Sequence, residues 1–330
     1  MSEMRWDPVK REWVITATHR MDRTFLPPKE YCPLCPTKEG GYETEIPAEE
    51  FQIVVFENRF PSLKTPPPEK ETEGYPIYPV EDSKGACEVI VYTDKHQGSI
   101  TGLSKEHMVN LVRVWCDRYE ELGKREDIEY ILIFENRGEE VGVTLHHPHG
   151  QIYAFSYIPN VPLKELESAE EYLKENKSCL FCDLLKTEED SGSRIVAAND
   201  GFTAFVPFYA RYPYEIHIYS RRHRASLAHL SNEEEEQLAV ILQQVVAVYD
   251  NLFEQVFPYI MVIHQDKLKD AKGLGHLHFE FYPPLRNKGK LKYIAGCEQG
   301  AGTFINDSLP EEKAAELRAV YERLIEKEVI

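Results

Sequence analysis

The sequence predicts an α+β protein made of two similar halves, each mainly an antiparallel sheet carrying one long helix, joined into a single pseudo-symmetric unit. Three observations carry this reading. The stretch "YTDKHQGSITGLSKEHMVNLVRVW" around His96 parallels "YSRRHRASLAHLSNEEEEQLAVIL" around His223. The pairs "CPLC" at 32–35 and "CLFC" at 179–182 precede those stretches in the same order. The ends also match, with "HPHGQ" at 147–151 opposite "HLHFE" at 276–280. Self-similarity of this kind means that one structural unit is used twice. The 330 residues therefore divide into an N-terminal half over 1–170, carrying the active site, and a C-terminal half over 171–330, carrying a second metal site and a closing helix.

The elements follow from local pattern. Short runs rich in β-branched and aromatic residues, "FQIVVF", "EVIVYT", "YILIF", "FTAFVPF" and "EIHIYS", have strand character. In each half the middle histidine is followed eight positions later by a serine, Ser104 or Ser231, that opens an apolar pattern of helical period. Ser231-Asn-Glu-Glu234 reads as a capping box, in which the serine and the glutamate satisfy backbone N–H groups reciprocally. The offset between halves is 147 residues at the cysteines but 127 at the middle histidine, so the first half holds an extra 20 residues. The Pro-rich "TPPPEKETEGYPIYPVEDSKG" over 65–85 is the insertion and predicts an exposed loop. A last helix is expected over roughly 310–327, with Ser308-Leu-Pro-Glu311 as a capping-box start.

The net charge is -18, from 56 acidic and 38 basic residues, and no block of Lys or Arg suited to a phosphate backbone is present. Nucleic acid is excluded as a partner on that ground. An acidic protein that binds a small phosphate ester must gather local positive charge, so isolated arginines near a motif gain weight. No apolar run of 18 residues and no secretory leader is seen, and the expected compartment is the cytoplasm.

Seven cysteines, four of them in two Cys-x-x-Cys pairs of a chain read as cytoplasmic, favour metal ligation over disulfides. Tetrahedral zinc takes four nitrogen or sulfur ligands. Each half supplies one such set in the same order: Cys32, Cys35, His96 and His147, then Cys179, Cys182, His223 and His276. Two zinc ions per chain are expected. His149 and His278 are then the free histidines beside each metal. In an extended strand, side chains at i, i+2 and i+4 share a face, so His147, His149 and Gln151 project into one space. Glu280 replaces Gln151 in the second half. A carboxylate repels an anionic phosphate whereas an amide donates to it, so the first half is the working site and the second a structural copy.

At "HHPHGQIYA" the chain resembles the nucleotidylyltransferases of the histidine triad superfamily, and most closely the galactose-1-phosphate uridylyltransferases. "DPVKREWVITATHR", "CPLC", "VVFENRF", "FENRG" followed by "HPHGQ", and "FPYIMVIH" with "FYPPL" carry the resemblance, in that family's order and over nearly the whole chain. It implies histidine-triad-like halves and assigns roles by position. His149 matches the nucleophile that takes the uridylyl group, and Gln151 the residue that holds a phosphoryl oxygen. Phe56, Asn58, Phe60 and Asn136 match positions lining the uridine and ribose pocket. Thr144 stands where a serine commonly contacts the phosphates, and Arg20 and Arg23 match arginines near them. Lys292 and Glu298 match a C-terminal segment that reaches the hexose phosphate across a homodimer interface. The implied substrates are UDP-glucose and galactose 1-phosphate, exchanged in a ping-pong reaction of galactose metabolism. Gln151 and backbone donors of the turn from Asn136 to Gly142 would offset developing charge.

Two departures matter. Relatives with an iron-type second metal use a glutamate and several histidines; Glu165, His264 and His278 match part of that set, but Glu280 replaces a further histidine. The Cys179/Cys182 pair with His223 and His276 instead matches the two-zinc variant. In "KYIAGCEQGAGTFIND", Cys297 and Phe304 stand where the galactose enzymes carry a tyrosine and a glutamine. That segment is similar to ADP-glucose phosphorylases, which makes nucleotidylyl transfer of that type the alternative. A nucleotide-sugar hydrolase or a binding protein are the other accounts.

Overall fold

In the computed structural model, which describes residues 2–22, 27 and 31–330, the strands of both halves merge into one nine-stranded antiparallel sheet. The first half contributes β1 (Ser2–Asp7), β2 (Glu12–Ala17), β3 (Val54–Glu57), β4 (Val80–Asp82), β5 (Gly85–Val91), α1 (Lys105–Gly123), β6 (Tyr130–Arg137) and β7 (His149–Phe155). Two helices follow, α2 (Asn160–Asn176) and α3 (Leu180–Ser191). The second half continues with β8 (Ile195–Ala198), β9 (Phe202–Phe205), β10 (Ile216–Ser220), α4 (Asn232–Leu252), β11 (Tyr259–His264), β12 (His278–Tyr282), the short β13 (Leu285–Asn287) and β14 (Lys290–Leu291), α5 (Gly296–Ala301) and α6 (Pro310–Glu326).

Sheet order is β3-β5-β7-β6-β11-β12-β10-β9-β8. The halves join at β6 and β11, where Arg137 pairs with Tyr259 and Ile133 with Ile263. Outward from that seam the order β6, β7, β5, β3 mirrors β11, β12, β10, β9, so the repeat appears in the topology itself. Domain duplication is thus a property of the fold. The division expected at residue 170 falls inside α2, a single helix that begins soon after β7 ends.

Each long helix starts as its sequence predicts. Ser104 accepts from the backbone N–H of His107 at 3.2 Å, and Ser231 forms the full capping box with Glu234. Both helices lay their apolar faces on one side of the sheet, where Leu111, Val112, Trp115, Leu238, Leu242 and Val245 pack with Ile90, Ile133 and Ile152. Each such buried side chain contributes about 1.5–3 kcal/mol relative to exposure. This leaves the opposite face of β7, bearing His149 and Gln151, free of the two long helices.

Three features correct or extend the reading. The N-cap of α6 is Leu309, without a side-chain cap, because the Ser308 hydroxyl donates to Asn306 Oδ1 at 2.8 Å instead. Pro310 starts that helix, where its missing N–H costs nothing. The 65–85 insertion is largely exposed, yet its end forms β4, which pairs with β1 in a separate three-stranded sheet of order β2-β1-β4. No helix among the described residues is long and apolar enough to cross a membrane.

Candidate active site and metal centres

His149 is the first residue of β7 and lies opposite Val91 of β5, with Gln151 opposite Val89 of β5 and Phe134 of β6. Directly opposed residues of an antiparallel pair share a face, so the two polar groups rise from a floor of Val89, Val91 and Phe134. A cavity of about 150 Å³ opens above it, lined by Arg20, Phe56, Asn58, Phe60, Thr144, His149 and Gln151. The structure brings these seven residues to one cavity. Pro33, Leu34, Glu45, Arg59, Val89 and Leu145 complete the wall. Arg59 and Glu45 went unnoticed in the sequence; they form an ion pair of 2.8 Å at the rim, and only their distance in space marks them.

The site is held by its own hydrogen bonds. Asn58 Oδ1 accepts from the N–H of Phe60 at 2.9 Å, while its Nδ2 donates to Gln151 Oε1 at 3.5 Å. With its oxygen so occupied, Gln151 is left to present N–H groups. Arg20 donates to the Phe60 carbonyl at 2.8 Å and to the Tyr153 hydroxyl at 3.3 Å. His149 Nδ1 lies 2.7 Å from the carbonyl oxygen of His147, which can only accept. Nδ1 therefore carries the proton, and the lone pair sits on Nε2. Burial lowers the proton affinity of His149, which keeps the ring neutral and nucleophilic.

A second cavity, of about 530 Å³, flanks His149 on its other side and contains Asn136, together with Ser99, Arg137 and His146. Asn136 is thus separated from Asn58 and does not line the cavity that holds Phe56 and Phe60. Gly142 lines neither cavity. Its backbone has φ +82°, and its N–H donates to the Glu139 carbonyl at 2.9 Å. The N–H groups of Val141 and Val143 both point to the Gly138 carbonyl. The amides of Val141 and Gly142 thus close the turn itself. Arg23 lies outside the described residues. Lys292 and Glu298 are 3.2 Å apart and both buried, away from either cavity, with Lys292 also donating to the Ile305 carbonyl.

Both four-residue sets assemble, and ligand atoms within each lie within 4.8 Å of one another. In the first, Cys35 Sγ is 3.5 Å from Nδ1 of both His96 and His147, and Cys32 Sγ is 3.9 Å from His147 Nδ1. In the second, Cys182 Sγ is 3.6 Å from Nδ1 of both His223 and His276. Zinc bonds of about 2.3 Å to sulfur and about 2.0 Å to nitrogen at tetrahedral angles separate the two ligand atoms by about 3.5 Å. The donor sets fit that ion. The far nitrogens agree as well: His147 Nε2 donates to the Thr93 carbonyl and His276 Nε2 to the Ser220 carbonyl, each at 2.7 Å. Each fixes the tautomer that leaves Nδ1 for a metal.

The second half repeats the bonding of His149 at His278 but closes it off. His278 Nδ1 donates to the His276 carbonyl at 2.7 Å, as His149 does to His147. Yet His278 is buried beneath the rings of Phe181, Tyr219 and His264, with centroids 5.2, 4.8 and 5.0 Å away. Glu280 Oε1 lies 3.6 Å from its Nε2. Burial opposes the charge of His264, but Glu165 and Glu280 outweigh it and raise that imidazole to about 9. A third group, Glu165, His264 and His278, is also close enough to hold an ion. Nothing as large as a nucleotide reaches His278.

Comparison with known proteins agrees with this architecture. Residues 1–159 match the family described as galactose-1-phosphate uridyl transferase, N-terminal domain, and residues 165–328 its C-terminal domain. The galactose-1-phosphate uridylyltransferase of Thermotoga maritima is 42% identical over 96% of this chain and 98% of its own length. That of Kluyveromyces lactis is 31% identical over 97% and 93%. A solved uridylyltransferase structure is 34% identical and superposes with a TM-score of 0.87 over 98% of this chain and 99% of that one. An ADP-glucose phosphorylase from Arabidopsis thaliana, solved with ADP-glucose bound, shares the fold at a TM-score of 0.74 and 23% identity, over 96% and 98%.

Proposed function

Because the chain belongs to the galactose-1-phosphate uridylyltransferase family and is a nucleotidyltransferase of galactose metabolism, we propose that His149 carries the uridylyl group from UDP-glucose to galactose 1-phosphate. The observation that supports this most is the bond from His149 Nδ1–H to the His147 carbonyl, which leaves Nε2 unprotonated beside the cavity. The Nε2 lone pair attacks the α-phosphorus. A nitrogen–phosphorus bond forms, the bond from that phosphorus to the bridging oxygen breaks, and glucose 1-phosphate leaves with the electron pair. The proton stays on Nδ1, where the His147 carbonyl offsets the positive charge of the modified ring. An anionic oxygen of galactose 1-phosphate then attacks the same phosphorus, and Nε2 departs with its electrons. No general base is required.

Gln151 donates to a phosphoryl oxygen as charge accumulates there, and Arg20 supplies local positive charge in an acidic protein. Phe56 and Phe60 provide apolar faces for the base and ribose, with Asn58 and Thr144 as polar contacts and Asn136 approaching His149 from the other cavity. Zinc held by Cys32, Cys35, His96 and His147 would lock the segment leading into His149 and leave no open coordination position for chemistry. A second zinc on Cys179, Cys182, His223 and His276 would brace the copy. In this reading the enzyme is a cytoplasmic homodimer, and the segment framed by Lys292 and Glu298, with Tyr293 and Ile294 exposed at its surface, contributes hexose-phosphate contacts to a second copy.

Isotope exchange tests the two-step route. Labelled glucose 1-phosphate should enter UDP-glucose in the absence of galactose 1-phosphate, because the first half-reaction is reversible by itself. No exchange would overturn the covalent route. Steady release of UMP instead would identify a hydrolase, and exchange with ADP-glucose alone would move the donor to adenosine.

A further inference from the structure

The face of the sheet behind the nucleophile carries an arrangement that packing alone does not explain. Gly150 follows His149 directly, and a Cβ placed on it would meet the Tyr92 hydroxyl oxygen at 2.3 Å and Cζ at 3.1 Å. The Tyr92 ring thus stands end-on against the β7 backbone, an approach that only glycine permits. The same residue grips the chain on both sides of that point. Its N–H donates to the Pro148 carbonyl at 3.1 Å, its carbonyl accepts from His107 Nε2 at 2.7 Å, and the neighbouring Thr93 carbonyl accepts from His147.

The polar atoms at the end of this strut are expensive. Tyr92 is 1% exposed and Glu135 6% exposed. The Tyr92 hydroxyl is set against the Glu135 carboxylate; burial raises its proton affinity, and so does that carboxylate, which bonds it. Glu135 Oε1 accepts from the Tyr259 hydroxyl at 3.0 Å. Glu135 comes one residue after Phe134, the partner of Gln151, which sets it opposite Gly150. Phenylalanine at position 92 would keep the packing of the ring but lose both the contact with Glu135 and the oxygen's approach to Gly150. The phenolic oxygen, held by Glu135, is the part of this side chain that reaches β7.

We propose that Tyr92, backed by Glu135 and Tyr259, is a positioning residue for His149: its hydroxyl bears on the backbone at Gly150 and sets where the attacking nitrogen stands. The inference rests on His149 being the nucleophile. In-line attack is sensitive to placement, and an error of about 1 Å in a reacting group costs about a hundredfold in rate. Tyr92 touches no substrate, so it acts on the rate of the covalent step and leaves nucleotide binding alone.

The test is single-turnover formation of the uridylyl adduct from UDP-glucose, with UDP affinity and thermal midpoint measured alongside, for wild type, Tyr92→Phe, Gly150→Ala and the double variant. We expect Tyr92→Phe to react about tenfold more slowly, with UDP affinity within about twofold and a modestly lower thermal midpoint, since the buried Glu135 carboxylate loses a partner. Gly150→Ala should lose about a hundredfold, and that loss should shrink when Tyr92→Phe removes the oxygen that the new methyl meets most closely. A Tyr92→Phe rate equal to wild type would overturn positioning, as would an alanine penalty that is the same in both backgrounds. A parallel fall in stability, affinity and rate would reduce Tyr92 to a packing residue and also overturn it. Absence of any adduct in wild type would overturn both this inference and the assignment of His149 beneath it.

Discussion

Replacing Gln151 with glutamate installs in the first half the residue that the second half already has, and the consequence can be worked from the geometry. Gln151 and His149 alternate on β7 and line one cavity, so the new carboxylate would stand beside the phosphoryl group being attacked. Two unit charges about 4 Å apart at an effective dielectric constant of about 20 repel by about 4 kcal/mol, close to a thousandfold in rate. Arg20 in the same cavity offsets part of this, which sets a floor of about a hundredfold. The fold is expected to survive, because a carboxylate can still accept from Asn58. Single-turnover adduct formation from UDP-glucose should therefore slow by a hundredfold to a thousandfold in Gln151→Glu, and more than in Gln151→Ala, which loses a donor without gaining a charge. The deficit relative to alanine should shrink below about pH 5, as the carboxyl takes up a proton. Equal losses in the two variants at neutral pH would show that charge at this position does not matter and would refute the argument.

The two metal centres should be functionally unequal. Cys35→Ser is expected to lose one zinc per chain together with adduct formation, and Cys182→Ser to lose the other while retaining adduct formation at a lower thermal midpoint; metal analysis with intact mass checks this, and equal inactivation would count against it. His278→Asn should form the adduct at the wild-type rate, because Phe181, Tyr219 and His264 already seal that ring away; a large loss of rate would show that the second half takes part. Asp127 should anchor the insertion in a pH-dependent way. Its hydrogen bonds from Arg125, and a further one from Thr65, hold its carboxyl down at about 2 against an ordinary 3.8, so its stabilisation is complete above about pH 4 and fades as pH falls toward 2. Proteolysis of the 65–85 loop should be faster in Asp127→Asn than in wild type at neutral pH, and a difference of the same size at pH 2 would contradict that origin.

What could be read from the sequence was what its chemistry repeats. Cysteine pairs, histidines ahead of capped helices and the alternating histidines His147/His149 and His276/His278 are local patterns, and each appears twice, so the candidate metal sets and the pseudo-symmetry were legible. The uridine-side residues came from resemblance, and most of them converge on one cavity. Features set by the far side of a strand or by the use of backbone groups stayed hidden. No spacing says that Asn136 and Asn58 line different cavities beside His149, or that the amides of Val141 and Gly142 are used in their own turn. Nor does "CLFC" reveal that Phe181, between its cysteines, is a lid on His278. The reading from sequence assigns no helix at α2 or α3 and no strand at β1 or β2, although β1 and β2 form a local hairpin in which Asp7 faces Glu12 and Ser2 faces Ala17.

The covalent route requires His149 as the point of attachment. Intact-protein mass after mixing with UDP-glucose, for wild type and His149→Gly, measures this most directly. The wild-type protein should gain one uridylyl group, located on the peptide containing His149 and discharged by galactose 1-phosphate, and the variant should gain none. A uridylyl group on another residue, or an adduct of equal yield in His149→Gly, would contradict it.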